Sequence, residues 1–99
     1  MTQIKRSDLD RLLEAAGVLK LLSNPKRLAI LCHLRDGELS VGEIAVLVDL
    51  GQSALSQHLA KLRREQLVTT RREGQTIFYA LASHEVEAII ETLHGLYCS

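Results

Sequence analysis

The sequence predicts a mainly α domain with a small β-hairpin, and two observations lead to this fold class. Apolar residues recur at helical spacing over most of the 99 residues, whereas β-rich residues fill only two short runs in the last third of the chain. A glycine lies between those two runs, as is typical of a hairpin turn. The length predicts one domain over residues 1–99.

The first two helices begin at polar residues that suit helix caps. The pair Ser7–Asp8 precedes apolar residues at helical spacing up to Leu22, which predicts the first helix. The segment Ser23–Pro25 predicts a new start, because proline is tolerated in the first helical turn, where its missing N–H costs little. The second helix should run to about Arg35 and stop at Asp36–Gly37.

The third and fourth helices are separated by a glycine. Ser40 and Glu43 have the spacing of a capping box, which predicts a short helix ending near Val48. Gly51 interrupts the pattern, and a fourth helix should span about Ser53–Glu65.

A hairpin and a last helix are predicted for the rest of the chain. The runs Leu67–Arg72 and Thr76–Leu81 predict two strands around the turn Glu73–Gly74, and Ser83 should cap a last helix. The connection Asp49–Gln52 has the length and glycine content of the turn in a helix-turn-helix. The sequence therefore predicts a winged helix-turn-helix with about five helices plus a two-stranded wing.

Charge is distributed unevenly along this neutral chain. Between residues 53 and 75 there are five cations and two acids, a net charge of +3, and the remaining residues carry −3. A basic patch on an acidic body favours an anionic partner. The same charges also fit a solvated helix face followed by a charged hairpin.

The fourth helix has the pattern of a DNA recognition helix. Leu55, Leu59 and Leu62 form one apolar stripe, and the other face is polar. Short neutral side chains at the start of such a helix suit base edges in the major groove, and later cations suit phosphates. Hairpin arginines suit phosphates or the minor groove. The predicted DNA-contacting residues are Gln52, Ser53, Ser56, Gln57, His58, Lys61, Arg63, Arg64, Arg71 and Arg72. A winged helix that binds protein instead is the alternative.

Other classes find little support in the sequence. No apolar run is long enough to cross a membrane, and the start MTQIKRSDLDR does not resemble a signal peptide, so we expect a cytoplasmic protein. No catalytic triad pattern, phosphate-binding glycine loop or CxxC pair occurs, so we expect neither an enzyme nor a cofactor. Two cysteines 66 positions apart are not expected to form a permanent disulfide in the cytosol.

The segments SNPKRLAILCHL, ELSVGEIAVLVDLGQSALSQHLAKLRREQLV and REGQTIFYAL resemble the ArsR-type winged-helix repressors. The resemblance implies a homodimer built on the first and last helices and bound to a palindromic DNA operator. In many members two cysteines on the third helix bind metal, but Ser40 and Gly42 stand at those positions here. The last helix carries His84 and His94 without the family's Asp-x-His pattern, so we expect no metal site, with a metal-responsive repressor as the alternative.

Cys32 and Cys98 resemble the dithiol subgroup of this family, the BigR/HlyU-type sensors of persulfides and oxidants. The motifs that carry the resemblance are LxILCxL in the second helix and LYC after the last helix. The resemblance implies a redox sensor in which the two thiols are bridged by an oxidant or by reactive sulfur. By itself, Cys32 also fits a small buried apolar residue and Cys98 an unreactive free thiol. The negative end of the last helix dipole disfavours a Cys98 thiolate, whereas His94, four residues earlier, would favour that thiolate when protonated.

Overall fold

The computed structural model describes residues 3–98; residues 1, 2 and 99 of the predicted domain lie outside this range. Within it the chain forms five α-helices, three strands and two 3-10 turns, which confirms the predicted fold class. The helices are α1 Leu9–Leu22, α2 Pro25–His33, α3 Val41–Val48, α4 Gln52–Arg64 and α5 His84–Tyr97. The strands are β1 Leu39–Ser40, β2 Val68–Glu73 and β3 Thr76–Leu81, and the 3-10 turns are Arg6–Asp8 and Leu34–Asp36.

Three of the predicted helix caps are present. The Asn24 side chain accepts hydrogen bonds from the N–H groups of the first turn of α2. Ser40 and Glu43 form a reciprocal capping box at α3, with N···O distances of 3.2 and 2.9 Å. Ser83 accepts a hydrogen bond from the first turn of α5. The expected cap of α1 is wrong, because Asp8 accepts from the Lys5 N–H and so stabilises the preceding 3-10 turn.

The sheet contains one strand more than the predicted hairpin. β2 and β3 pair antiparallel, and Gly74 in their turn adopts φ 62°, a conformation that glycine accepts without strain. β1 pairs antiparallel with the other side of β3, with Leu39 opposite Tyr79, so the strand order is β1-β3-β2. A strand of two residues has no alternation to detect, which is why the sequence pattern did not reveal it.

The hydrophobic core lies around α2, which packs against α1, α3 and α5. The most completely buried large side chains are Ile30, Leu31, Ile44, Leu55, Leu59, Leu62, Leu67 and Ile90. The Lys26 ammonium donates a hydrogen bond to the Val48 carbonyl at 3.0 Å and so ties the start of α2 to the end of α3. No helix in the described range is long and apolar enough to span a membrane.

A three-residue turn positions α4 against the rest of the core. α3 ends at Val48 and α4 begins at Gln52, as the predicted helix-turn-helix requires. Asp49 ends α3 in the left-handed conformation, with φ 52°. The turn directs the apolar stripe of α4 into the core and leaves its polar face outward.

Candidate nucleic-acid interface and thiol pair

The outer face of α4 is polar at its start and positively charged at its end. Leu55, Leu59 and Leu62 are buried, as the sequence pattern predicted. The exposed residues of α4 among the predicted DNA contacts are Gln52, Ser53, Ser56, Gln57, Lys61, Arg63 and Arg64. These seven side chains share one helix, so α4 presents neutral hydrogen-bonding groups and cations in the order that a recognition helix uses.

His58 differs from the other predicted contacts because it is half-buried. Burial lowers the pKa of the imidazole below its ordinary value, and the positive charges of Arg27 on α2 and Lys61 on α4 lower it further. The neutral form is therefore favoured, and the ring lies at the edge of the exposed face rather than on it.

The two wing arginines have different surroundings. Arg71 donates from Nε to both carboxylate oxygens of Glu38 at 3.0 Å and from Nη1 to Glu73 at 2.8 Å. Its guanidinium also lies 4.6 Å from the centre of the Phe78 ring. The hydrogen bonds to Glu38 and then Glu73 raise the pKa of Arg71. Arg72 is exposed, and no ion pair forms to it from residues 3–98.

The two cysteines are both free thiols, with Cys32 half-buried on α2 and Cys98 exposed after the end of α5. Burial raises the pKa of Cys32, the negative charge of the Cys98 thiolate raises it further, and the nearby Arg35 guanidinium partly offsets both. α2 packs against α5, and Arg35 follows Cys32 by three residues along the chain.

A polar contact joins the segment after Cys32 to α5. Arg35 Nη1 donates to both carboxylate oxygens of Glu91, at 3.1 and 3.2 Å. Arg35 lies one helical turn beyond Cys32, and Glu91 lies two turns before Cys98, so the ion pair and the thiols occupy neighbouring parts of the same helix contact.

Ser40 and Gly42, where the resemblance described above implies metal-binding cysteines, offer no thiol. Ser40 Oγ accepts the Glu43 N–H in the capping box, and Gly42 has no side chain. Across residues 3–98, no three histidine, cysteine, aspartate or glutamate side chains gather as metal ligands would.

Two ion pairs were not predicted from the sequence. Glu38 pairs with Arg71, 33 residues later in the chain, and Arg35 pairs with Glu91, 56 residues later. Neither pair has a local spacing signal, because each forms only after β1, the wing and α5 have packed.

A short turn, an outward polar helix with a cationic end and a charged two-stranded wing define a winged helix-turn-helix DNA-binding protein. The profile of the "Bacterial regulatory protein, arsR family" matches residues 24–70. The "Transcriptional activator HlyU" of Vibrio cholerae is 60% identical over 85 residues, 86% of this chain and 79% of that protein. The chain belongs to the arsR family and is a DNA-binding transcriptional regulator rather than an enzyme.

Solved structures agree with this assignment. Reduced HlyU from Vibrio cholerae N16961 superposes with a TM-score of 0.90 at 54% identity, covering 96% of this chain and 100% of that one. The transcriptional repressor BigR from Xylella fastidiosa gives 0.84 at 39% identity, covering 97% and 99%. The homodimeric winged helix-turn-helix domain of Mb0332 from Mycobacterium bovis gives 0.80 at 30% identity, covering 97% and 89%.

Proposed function

We propose that the chain is a dimeric regulator whose affinity for operator DNA is switched when Cys32 and Cys98 become bridged. The observation that carries the proposal is the placement of the two cysteines: Cys32 lies on α2, which packs against α5, and Cys98 directly follows α5. Both cysteines are free, as a pair that is to be bridged must be. The similarity to reduced HlyU and to BigR supports the same subgroup.

The position of Cys98 suits bridge formation. It follows the last residue of α5 in extended backbone conformation, its N–H donates to the His94 carbonyl at 2.8 Å, and its side chain is exposed. A direct disulfide needs Cα atoms about 4.4–6.8 Å apart, and inserted sulfur atoms relax that requirement.

The bridging chemistry balances with an organic persulfide as the oxidant. The exposed Cys98 thiolate attacks the outer sulfur of R–S–SH, the donor S–S bond breaks, and RSH leaves. The half-buried Cys32 thiolate then attacks Sγ of the Cys98 persulfide, which forms the disulfide and expels H₂S. The two thiols lose two electrons, and the transferred sulfur atom gains them. Exposure assigns the order of attack, because the more accessible thiol meets the donor first.

Dimerisation is supported by apolar side chains that the single chain leaves exposed at both ends of the fold. The most exposed on the first and last helices and the segment before them are Ile4, Leu9, Leu12, Leu13, Leu19, Leu96 and Tyr97. A small domain gains stability by covering such residues. The homodimeric Mb0332 domain supports a two-fold arrangement, which would place two recognition helices about 34 Å apart on DNA.

We assign the DNA contacts according to the surface of α4 and the wing. The neutral residues from Gln52 to Gln57 read base edges, and Lys61, Arg63, Arg64 and Arg72 bind phosphates. His58, which is half-buried, and Arg71, which pairs with Glu38 but is exposed, complete the proposed contact surface. The chain therefore has two proposed partners, a second copy of itself and double-stranded operator DNA.

The structural effect of a bridge would be transmitted to the DNA-binding surface through α2. It would fix α2 to the end of α5, and α2 holds the last turn of α3 through the Lys26–Val48 hydrogen bond. α3 leads directly into the turn before α4. A coupling of about 1–3 kcal/mol between the bridge and DNA binding corresponds to a 5- to 150-fold change in affinity.

The test measures DNA affinity before and after bridging. Duplexes bound by the reduced protein are selected from a random pool, and affinity is then measured by fluorescence anisotropy with and without glutathione persulfide. We expect the persulfide to weaken wild-type binding at least fivefold, whereas Cys32→Ser and Cys98→Ser bind like the reduced wild type and do not respond. A persistent response in either variant, or equal binding by the bridged wild type, would refute the switch.

A further inference from the structure

The Arg35 side chain, three residues after Cys32, is held by one end of its guanidinium group. Its Nη1 group binds both oxygens of Glu91, and Nη2 lies 3.6 Å from Asp36. The side chain is only 26% exposed, so the guanidinium lies between the turn after α2 and α5 rather than in solvent. Its position is therefore determined by the fold.

The other end of the guanidinium has an unused donor. Arg35 Nε is buried, and no acceptor for it exists in the described part of the chain. Buried N–H groups without a partner are uncommon in folded proteins. An arginine held by Nη1 with Nε–H left over is suited to an anion that is present in only one state of the protein.

The anion that the reaction generates in this neighbourhood is the Cys32 thiolate. A thiolate, and not a thiol, attacks sulfur. Burial and Cys98 both disfavour that charge, and Arg35 is the positive group that opposes them. The carboxylates of Glu91 and Asp36 pair with Arg35, and neither is among the charges that shift the pKa of Cys32.

We propose that Arg35, anchored by Glu91, is the positioning residue that stabilises the Cys32 thiolate for its attack on the Cys98 persulfide. The inference rests on the proposed dithiol switch and specifies its second step. Arg35 contributes nothing to the first step, in which the exposed Cys98 takes a sulfur atom from the donor and releases RSH. In the second step it favours the charged nucleophile, and the products remain the Cys32–Cys98 disulfide and H₂S.

The test separates the two steps by mass. Reduced full-length protein is mixed with glutathione persulfide, quenched with an alkylating agent at set times, and weighed intact over a range of pH. A gain of one sulfur atom reports the Cys98 persulfide, and a loss of two hydrogens reports the bridge.

The variants are Arg35→Gln, which removes the charge, and Arg35→Lys, which keeps it. Lys20→Gln is the control, because it removes a cation from α1 that does not act on Cys32.

We expect Arg35→Gln to accumulate the Cys98 persulfide and to form the bridge several-fold more slowly than the wild type at neutral pH, because a smaller fraction of Cys32 is then ionised. Its bridging rate should recover toward the wild-type rate at high pH, where Cys32 ionises without help. Arg35→Lys and Lys20→Gln should follow the wild-type pH profile.

Three outcomes would overturn the inference. They are a wild-type profile for Arg35→Gln, a rate for Arg35→Lys as slow as that of Arg35→Gln, and a slow rate for Arg35→Gln that does not recover at high pH. The last result would assign Arg35 a purely structural role. Failure of the proposed dithiol switch would be distinguishable from these outcomes, because the wild type itself would then form no bridge, or would form one without losing DNA affinity.

Discussion

Leu13→Ala tests the dimer surface on α1. The Leu13 side chain is 71% exposed in the single chain. Full burial of a leucine contributes about 1.5–3 kcal/mol, so covering this exposed fraction contributes roughly 1–2 kcal/mol per subunit, most of which alanine loses. A two-fold interface contains the residue twice. The dimer should therefore be weakened by roughly 2–4 kcal/mol, on the order of 30-fold or more in its dissociation constant.

Sedimentation equilibrium over a range of protein concentrations measures this constant directly. Val46→Ala is the matched control, because Val46 is 81% exposed but lies on α3. We expect it to leave the dissociation constant unchanged. An unchanged constant for Leu13→Ala, or an equal loss for Val46→Ala, would show that α1 does not form the interface.

Three further predictions concern DNA binding and stability. Lys61→Ala should reduce the slope of log affinity against log salt concentration by about 2 per dimer, in a salt titration of anisotropy, if each copy binds one phosphate. An unchanged slope would remove Lys61 from the phosphate contacts. Folding lowers the pKa of His58, so the unfolded chain takes up the proton more readily, and wild-type stability should fall as pH drops below the ordinary value of 6.5. Urea unfolding of His58→Gln should show a smaller loss over that range; an identical loss would contradict the assignment. Leu59→Ala should lower the free energy of unfolding by about 2–5 kcal/mol in the same assay, because Leu59 is buried in the core, and a loss under 1 kcal/mol would be inconsistent with that packing.

The elements that follow local rules were predictable from the sequence. Asn24, Ser40 and Ser83 cap helices because a side-chain oxygen can reach an N–H only two or three residues away. The leucine stripe of α4 was predictable for a similar reason, since helical periodicity alone places it on one face. From these features the helix-turn-helix and the residues on its outer surface could be predicted.

What the sequence did not reveal depends on contacts between distant segments. β1 exists only because Leu39 and Ser40 meet β3, and two residues have no strand pattern of their own. Arg71 looked like a free cation of the wing until packing brought Glu38 against it. The same applies to the distance between the two thiols, which depends on how α2 packs against α5. Composition and spacing contain no information about these distances.

The strand order of the sheet has a consequence for solubility. With β3 in the middle, the two remaining edges are β1, only two residues long, and β2. The outer half of β2 carries the consecutive charges of Arg71, Arg72 and Glu73. Short edges and charged edges are both poor templates for a strand from another molecule. Arg72, which we propose to bind phosphate, thus also protects the wing from intermolecular β-pairing, so a neutral substitution there should promote aggregation as well as weaken DNA binding.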